Sequence, residues 1–172
     1  MTWLSLDRIS IICVLKWISQ PFSNKNFLNT AGIVTPPATW NDFNEAVKKL
    51  TQVDNKGNIT RAGAAIGTAR NINRSTDLLS VLMLQSGVPM VDSDHAQANF
   101  SARVNGQDVG EVAVQYYTDF SNPSKSVFTW NDRQHYSVDA FLEGGVAMMF
   151  NYSHQIPILR QRATRFDFGV AP

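Results

Sequence analysis

Cysteine is almost missing from this chain. Cys13 stands alone, so no internal disulfide can form and no cysteine-rich metal site is possible. An excess of one charge is missing too. Fifteen Lys and Arg face fourteen Asp and Glu, for a formal net charge of +1. No basic run is interleaved with aromatics, which excludes a dedicated nucleic-acid surface. Long apolar runs are absent as well. "ISIICVLKWI" (Ile9 to Ile18) is interrupted by Lys16 and is far short of the roughly 20 residues a membrane-spanning helix needs. Asp7 precedes it and no small-x-small cleavage site follows, so it makes a poor signal peptide. It reads instead as a buried strand or hinge segment, with Cys13 a plain core residue.

Catalytic motifs are lacking in the same way. The chain carries no nucleophile elbow, P-loop, GxGxxG, HExxH or EF-hand loop. His95, His135 and His154 share no ligand spacing, so neither a metal nor a cofactor is expected. Ser153 and His154 are adjacent in sequence and do not face each other as a catalytic pair. No enzyme constellation remains.

What is present is ordinary globular material: 44% hydrophobic and 17% charged residues over 172 positions, enough for one domain with a real core. Residues 1–22 are apolar and β-prone. "SNKNFLNTAGI" (Ser23 to Ile33) predicts a short helix closed by Gly32. Paired prolines make Val34 to Thr39 a stiff connector. Thr39 then caps "WNDFNEAVKKLTQV", where Trp40, Phe43, Ala46, Val47 and Leu50 recur at helical spacing with acids early and lysines late.

Asp54 to Asn58 is a turn signal and Gly63 to Thr68 a short buried strand. Ala69 to Arg74 is a polar loop. Ser75 or Thr76 caps the next helix, apolar nearly all round and ended by Gly87. A surface excursion or hairpin follows. Glu111 to Pro123 is amphipathic, with Val112, Tyr116 and Phe120 on one stripe beside Ala113 and Tyr117. Ser137 caps a short helix that Gly144 and Gly145 end. "VAMMF" is a strand, a helix restarts near Ser153, and "FDFGVAP" is a last short strand. Alternating helices and short apolar strands predict an α/β layered fold.

Ligand recognition suits the polar residues better than catalysis. Asn71, Asn73 and Arg74 form a donor-rich loop after one strand. Asn151, Tyr152, Ser153 and His154 follow another. In open α/β sheets, ligands sit outside the carboxyl ends of strands. If the two strands are neighbours, both loops converge. Their amides and hydroxyls then meet sugar hydroxyls, and Tyr152 or Trp130 stacks on an apolar sugar face. A surface turn that faces only water is the other reading of residues 151–154. Trp40 reads as a core anchor, and Trp3 and Trp17 have no assigned place.

Three stretches resemble one family. "SNKNFLNTAGIVTPPATWNDFNEAVKKLT" is similar to the "YNKdLFkkAGI-pPPkTWdEf--aakkLT" signature of extracellular solute-binding proteins, family 1. These are the substrate receptors of bacterial ABC importers, relatives of maltose-binding protein. "DAFLEGGVAMMFNYSH" resembles their "-aF--GkaAM---g-w" motif, and "FDFGVAP" their "-d-gvaplP" strand.

The resemblance covers residues 23–172 and implies a periplasmic-binding-protein-like lobe, mainly the C-terminal one, without its second lobe. Residues 1–22 then form an altered crossover, since "LDRISIICVLKWISQPFSNK" stands where the family has a "D-LaLyYNK" strand. It further implies non-catalytic capture of a solute, of carbohydrate type, by a monomer outside the bacterial membrane, and delivery to a membrane permease. Gly145 replaces a frequent Lys, and His154 stands near a position where sugar binders often carry an aromatic ring. A lobe that kept its fold as a sensory or interaction domain is the alternative.

Overall fold

The structure, a computed structural model, describes residues 20–101 and 103–171. The expectations for Trp3, Cys13, Trp17 and the Ile9–Ile18 segment lie outside those residues. Strand β1 (Gln20–Asn24) leads directly into helix α1 (Lys25–Thr30), where Asn24 Oδ1 accepts the N–H groups of Asn26 and Phe27. The helix thus starts two residues later than its Ser23 signal. Gly32, at φ +70°, follows the C-cap as the left-handed terminator that its lack of a Cβ permits.

Helix α2 (Trp40–Leu50) has the expected capping box between Thr39 and Asp42 and buries the five apolar positions read from its spacing. Strands β2 (Gln52–Val53) and β3 (Ile59–Ala65) follow. β3 starts and ends earlier than the Gly63–Thr68 reading, because the polar Thr60 and Arg61 sit inside it.

Helix α3 (Ser75–Gln85) is a correction. Neither Ser75 nor Thr76 caps it. Its N-cap is Arg74, at φ +64°, with no side-chain capping bond, and Ser75 Oγ donates to the Ala69 carbonyl instead. The surface excursion contains a hairpin of β4 (Arg103–Val104) and β5 (Gln107–Asp108). Helix α4 (Val109–Asp119) buries Val109, Ala113 and Tyr117. Val112, placed on the buried stripe from sequence, is 36% exposed, since the helix is rotated toward the 109/113/117 face. Helix α5 (Ser137–Glu143) is not capped by Ser137, which is its first residue and whose Oγ accepts the Asn73 N–H at 2.8 Å. Gly144 at φ +80° turns the chain into β6 (Val146–Asn151). Helix α6 (Gln155–Arg162) and strand β7 (Phe168–Val170) complete the order.

Five strands form one sheet in the order β2-β3-β6-β1-β7. β3 and β6 are parallel, with Ala62 opposite Val146 and Ala64 opposite Met148. The other pairs are antiparallel. All six residues of β6 are buried, as a central strand covered on both faces requires. One face packs α2, α3 and α4 through Trp40, Phe43, Leu78, Leu82, Phe120 and Phe150. The other packs α5 and α6 through Phe22, Trp130, Phe141, Met149 and Leu159. The result is three layers, helices on a sheet on helices.

Close approach sets the α2–β3 contact. A Cβ on Gly63 would lie 2.6 Å from the Val47 carbonyl oxygen and 3.0 Å from Val47 Cα. Beside it, the buried Thr129 Oγ1 accepts the Gly63 N–H at 2.7 Å and meets Thr51 Oγ1 at 2.7 Å. That hydroxyl pins the long loop after α4 to the sheet.

At the sheet's carboxyl edge, the described chain begins and ends side by side. β1 runs antiparallel to β6 with Gln20 opposite Asn151, and β7 runs back along β1. The Ala171 N–H donates to the Pro21 carbonyl at 3.1 Å.

Candidate functional site

The parallel pairing of β3 and β6 puts both polar loops at one edge of the sheet. From β6 the chain runs straight into Asn151 and Tyr152. From β3 it runs through Ile66 to Arg74 into α3. The two meet at Tyr152. Its hydroxyl donates to Asp77 Oδ2 at 2.8 Å, so the first turn of α3 fixes the end of β6. The Arg74 guanidinium lies over the Tyr152 ring, 5.1 Å from the centroid, a cation–π contact. The His154 imidazole stacks on the same ring, centroids 5.6 Å apart and planes 18° from parallel. The Asp77 carboxylate, by accepting the phenol proton's hydrogen bond, holds the Tyr152 phenol above its ordinary value; burial and the Asp77 charge add to this and Arg74 opposes it. Tyr152 is therefore a neutral donor at physiological pH.

The other sequence-predicted residues fall differently. Asn71 is a structural knot. Its Oδ1 accepts Trp130 Nε1 at 3.0 Å and Thr68 Oγ1 at 2.5 Å, and its Nδ2 donates to the Asn131 and Gln134 carbonyls at 2.9 Å each. Both acceptor positions and both donor hydrogens of its side chain are directed into the protein. Trp130 is 0% exposed, so its ring is core and presents no face to a solute. Asn73 donates its backbone N–H to Ser137. Asn151 is 1% exposed. Its Oδ1 accepts the Tyr152 N–H, while its Nδ2 is buried without a partner among the described residues. Ser153 is exposed and lies beside the ring cluster.

The edge therefore brings together Arg74, Tyr152 and His154, with Ser153 and Asn73 adjacent, and turns Asn71 and Trp130 inward. Asp77 is the residue that reading the sequence missed. Its only signal was an acid in the first turn of a helix that leaves a strand's carboxyl end. Anchoring of the β3 loop is completed by Tyr117, whose hydroxyl donates to the Thr68 carbonyl at 2.8 Å.

A cavity of about 430 Å³ lies at the opposite edge of the sheet, against Asn58, Ile59, Gln134 and Gly145. None of the sequence-predicted residues lines it. Among the described residues no group of three or more His, Cys, Asp or Glu is placed to hold a metal ion.

The fold is an α/β lobe with a polar, aromatic edge where two parallel strands end. The chain belongs to the bacterial extracellular solute-binding protein family, whose model matches residues 12–172. A search among curated proteins gives no match. Among solved structures, the maltose/maltodextrin-binding domain MalE from Bdellovibrio bacteriovorus bound to maltotriose is similar at a TM-score of 0.67 and 20% identity, over 89% of this chain and 36% of that one. The ABC substrate-binding protein Lmo0181 from Listeria monocytogenes in complex with cycloalternan is similar at 0.66 and 18%, over 88% and 36%. UgpB from Mycobacterium tuberculosis in complex with glycerophosphocholine is similar at 0.62 and 18%, over 90% and 35%. The chain thus has the fold of a periplasmic-binding-protein lobe and spans a little over a third of the length of structures it matches.

Proposed function

We propose that this chain supplies one half of a solute-binding site in a substrate receptor of an ABC importer, acting by non-covalent capture. The observation that carries the reading is the Tyr152 ring. It stands at the carboxyl edge of two adjacent parallel strands, oriented from behind by Asp77 and flanked by Arg74. An oriented aromatic ring with donors around it suits a sugar, whose apolar face stacks while its hydroxyls take hydrogen bonds. The sugars bound by MalE of Bdellovibrio and Lmo0181 of Listeria support that class.

Residues 23–172 act as the lobe. The partners are a carbohydrate-type solute and a membrane permease, and the receptor works as a monomer on the outer side of the bacterial membrane. Among the described residues no helix is long and apolar enough to cross a membrane. The edge is open to water on one side, so the lobe by itself holds a solute weakly, on the order of millimolar, without opposing contacts or desolvation.

NMR titration of the folded chain with maltotriose, mannobiose, tagatose and glycerophosphocholine tests this. At least one sugar should shift the backbone signals of Arg74 and of residues 152–154 saturably, and Tyr152→Ala should abolish the shifts. A folded chain that answers none of the four sinks the receptor reading and leaves an interaction domain that kept the lobe fold.

A further inference from the structure

His154 has a place in the site that its position in the sequence does not explain. Its imidazole makes no hydrogen bond or ion pair among the described residues. It is exposed, its side chain does not cap α6 although it is the N-cap residue, and its partner among the described residues is the Tyr152 ring, stacked 18° from parallel. Tyr152, by contrast, is tied down through Asp77. The pair is therefore asymmetric: a fixed ring carrying a free one.

The near-parallel arrangement is also the one a pyranose takes on an aromatic ring, since both present a flat apolar face. We propose that the His154 imidazole holds the stacking position on Tyr152 that a sugar ring takes, so that solute and imidazole compete for one surface. This rests on the receptor reading above and adds an affinity-setting residue to it. His154 overlaps the edge of the Tyr152 ring face, and a solute stacks on the whole face only as the imidazole rotates away about χ1. Among the described residues no hydrogen bond must break for that rotation.

The arrangement also favours one ligand class over another. A flat-faced ring sugar compensates for the lost stack with its own. A flexible polyol with neither a ring nor a cation, such as glycerol, displaces the imidazole without replacing the contact, and is disfavoured.

Removing the imidazole tests the competition. His154→Ala deletes no capping bond and leaves Tyr152, Asp77 and Arg74 in place. It should tighten maltotriose binding by about three- to tenfold, the range of one aromatic stack expressed as a ratio of dissociation constants. His154→Phe, which stacks more strongly, should weaken it. In the unsubstituted chain, the imidazole Hδ2 and Hε1 resonances should lie upfield from the Tyr152 ring current and move downfield as maltotriose saturates.

If maltotriose shifts Tyr152 while the His154 resonances stay upfield, or if His154→Ala binds no tighter, the competition is wrong and the receptor reading stands. If neither the unsubstituted chain nor His154→Ala responds to maltotriose, mannobiose, tagatose or glycerophosphocholine, the receptor reading fails and the competition fails with it.

Discussion

Asn71 shows how a residue in a recognition loop can belong wholly to the scaffold. One amide joins two separate stretches: Thr68 in its own loop, and the segment from Trp130 through Asn131 to Gln134. Replacement by alanine strands a buried indole N–H and two carbonyls. Asn71→Ala should lower stability by roughly 3 kcal/mol, the order of leaving these three part-buried polar groups unpaired. Urea denaturation measures it. If the amide instead served a solute, stability would hold and only affinity would fall. Tyr152 makes the opposite case. Its few partners orient it without covering it from all sides, and its removal should cost affinity far more than stability.

At the scale of elements, packing is decided by small residues as much as by large ones. β3 reads "ITRAGAA", and Gly63 lets the α2 backbone come within van der Waals reach of the strand. Gly63→Ala should destabilise by about 1–3 kcal/mol, as backbone must shift to admit the methyl. A melting temperature unchanged within error would show that α2 moves freely on the sheet.

Much of this level was legible in the sequence. Helical spacing placed α2 on its buried face because Trp40, Phe43, Val47 and Leu50 repeat without interruption. Gly32, Gly87 and Gly144 ended helices where positive φ is needed. The helix starts at Ser75 and Ser137 were misread because a serine before an apolar run is a good cap only when its own backbone is extended. Here both hydroxyls had tertiary work, to Ala69 and to Asn73. The placement of the two polar loops was half legible. That two polar loops follow strands is a local fact, but their convergence depends on β3 and β6 being parallel neighbours. Trp130 failed as a site residue because nothing local separates a loop tryptophan at the surface from one swallowed by the core.

Across the whole molecule, the two tyrosines of α4 tie that helix to α2 and to the loop after β3. Tyr116 donates to Asn44 Oδ1 on α2, and Tyr117 to Thr68. Burial pushes both phenols well above their ordinary value near 10. The sign follows directly. The unfolded chain loses these protons near pH 10 and the folded chain only at higher pH. The stability they contribute is full below about pH 10 and is lost as pH rises beyond it. Denaturation midpoints should therefore fall between pH 9 and pH 11, with tyrosinate absorbance from this pair appearing together with unfolding. Ionisation of both in a folded chain at pH 11 would contradict their burial.

The bond from Ala171 to Pro21 has a mechanical meaning. The chain comes in along β1 and goes out along β7 at the same edge, so any tension between the two ends acts across neighbouring antiparallel strands. Such a load meets their hydrogen bonds one at a time, as a zipper is opened, and not all together as in shear. The sheet's centre, β3 against β6, lies off that line of force. A pull from outside would peel β7 first and leave the Tyr152 edge, held by Asp77 and Tyr117, assembled until late.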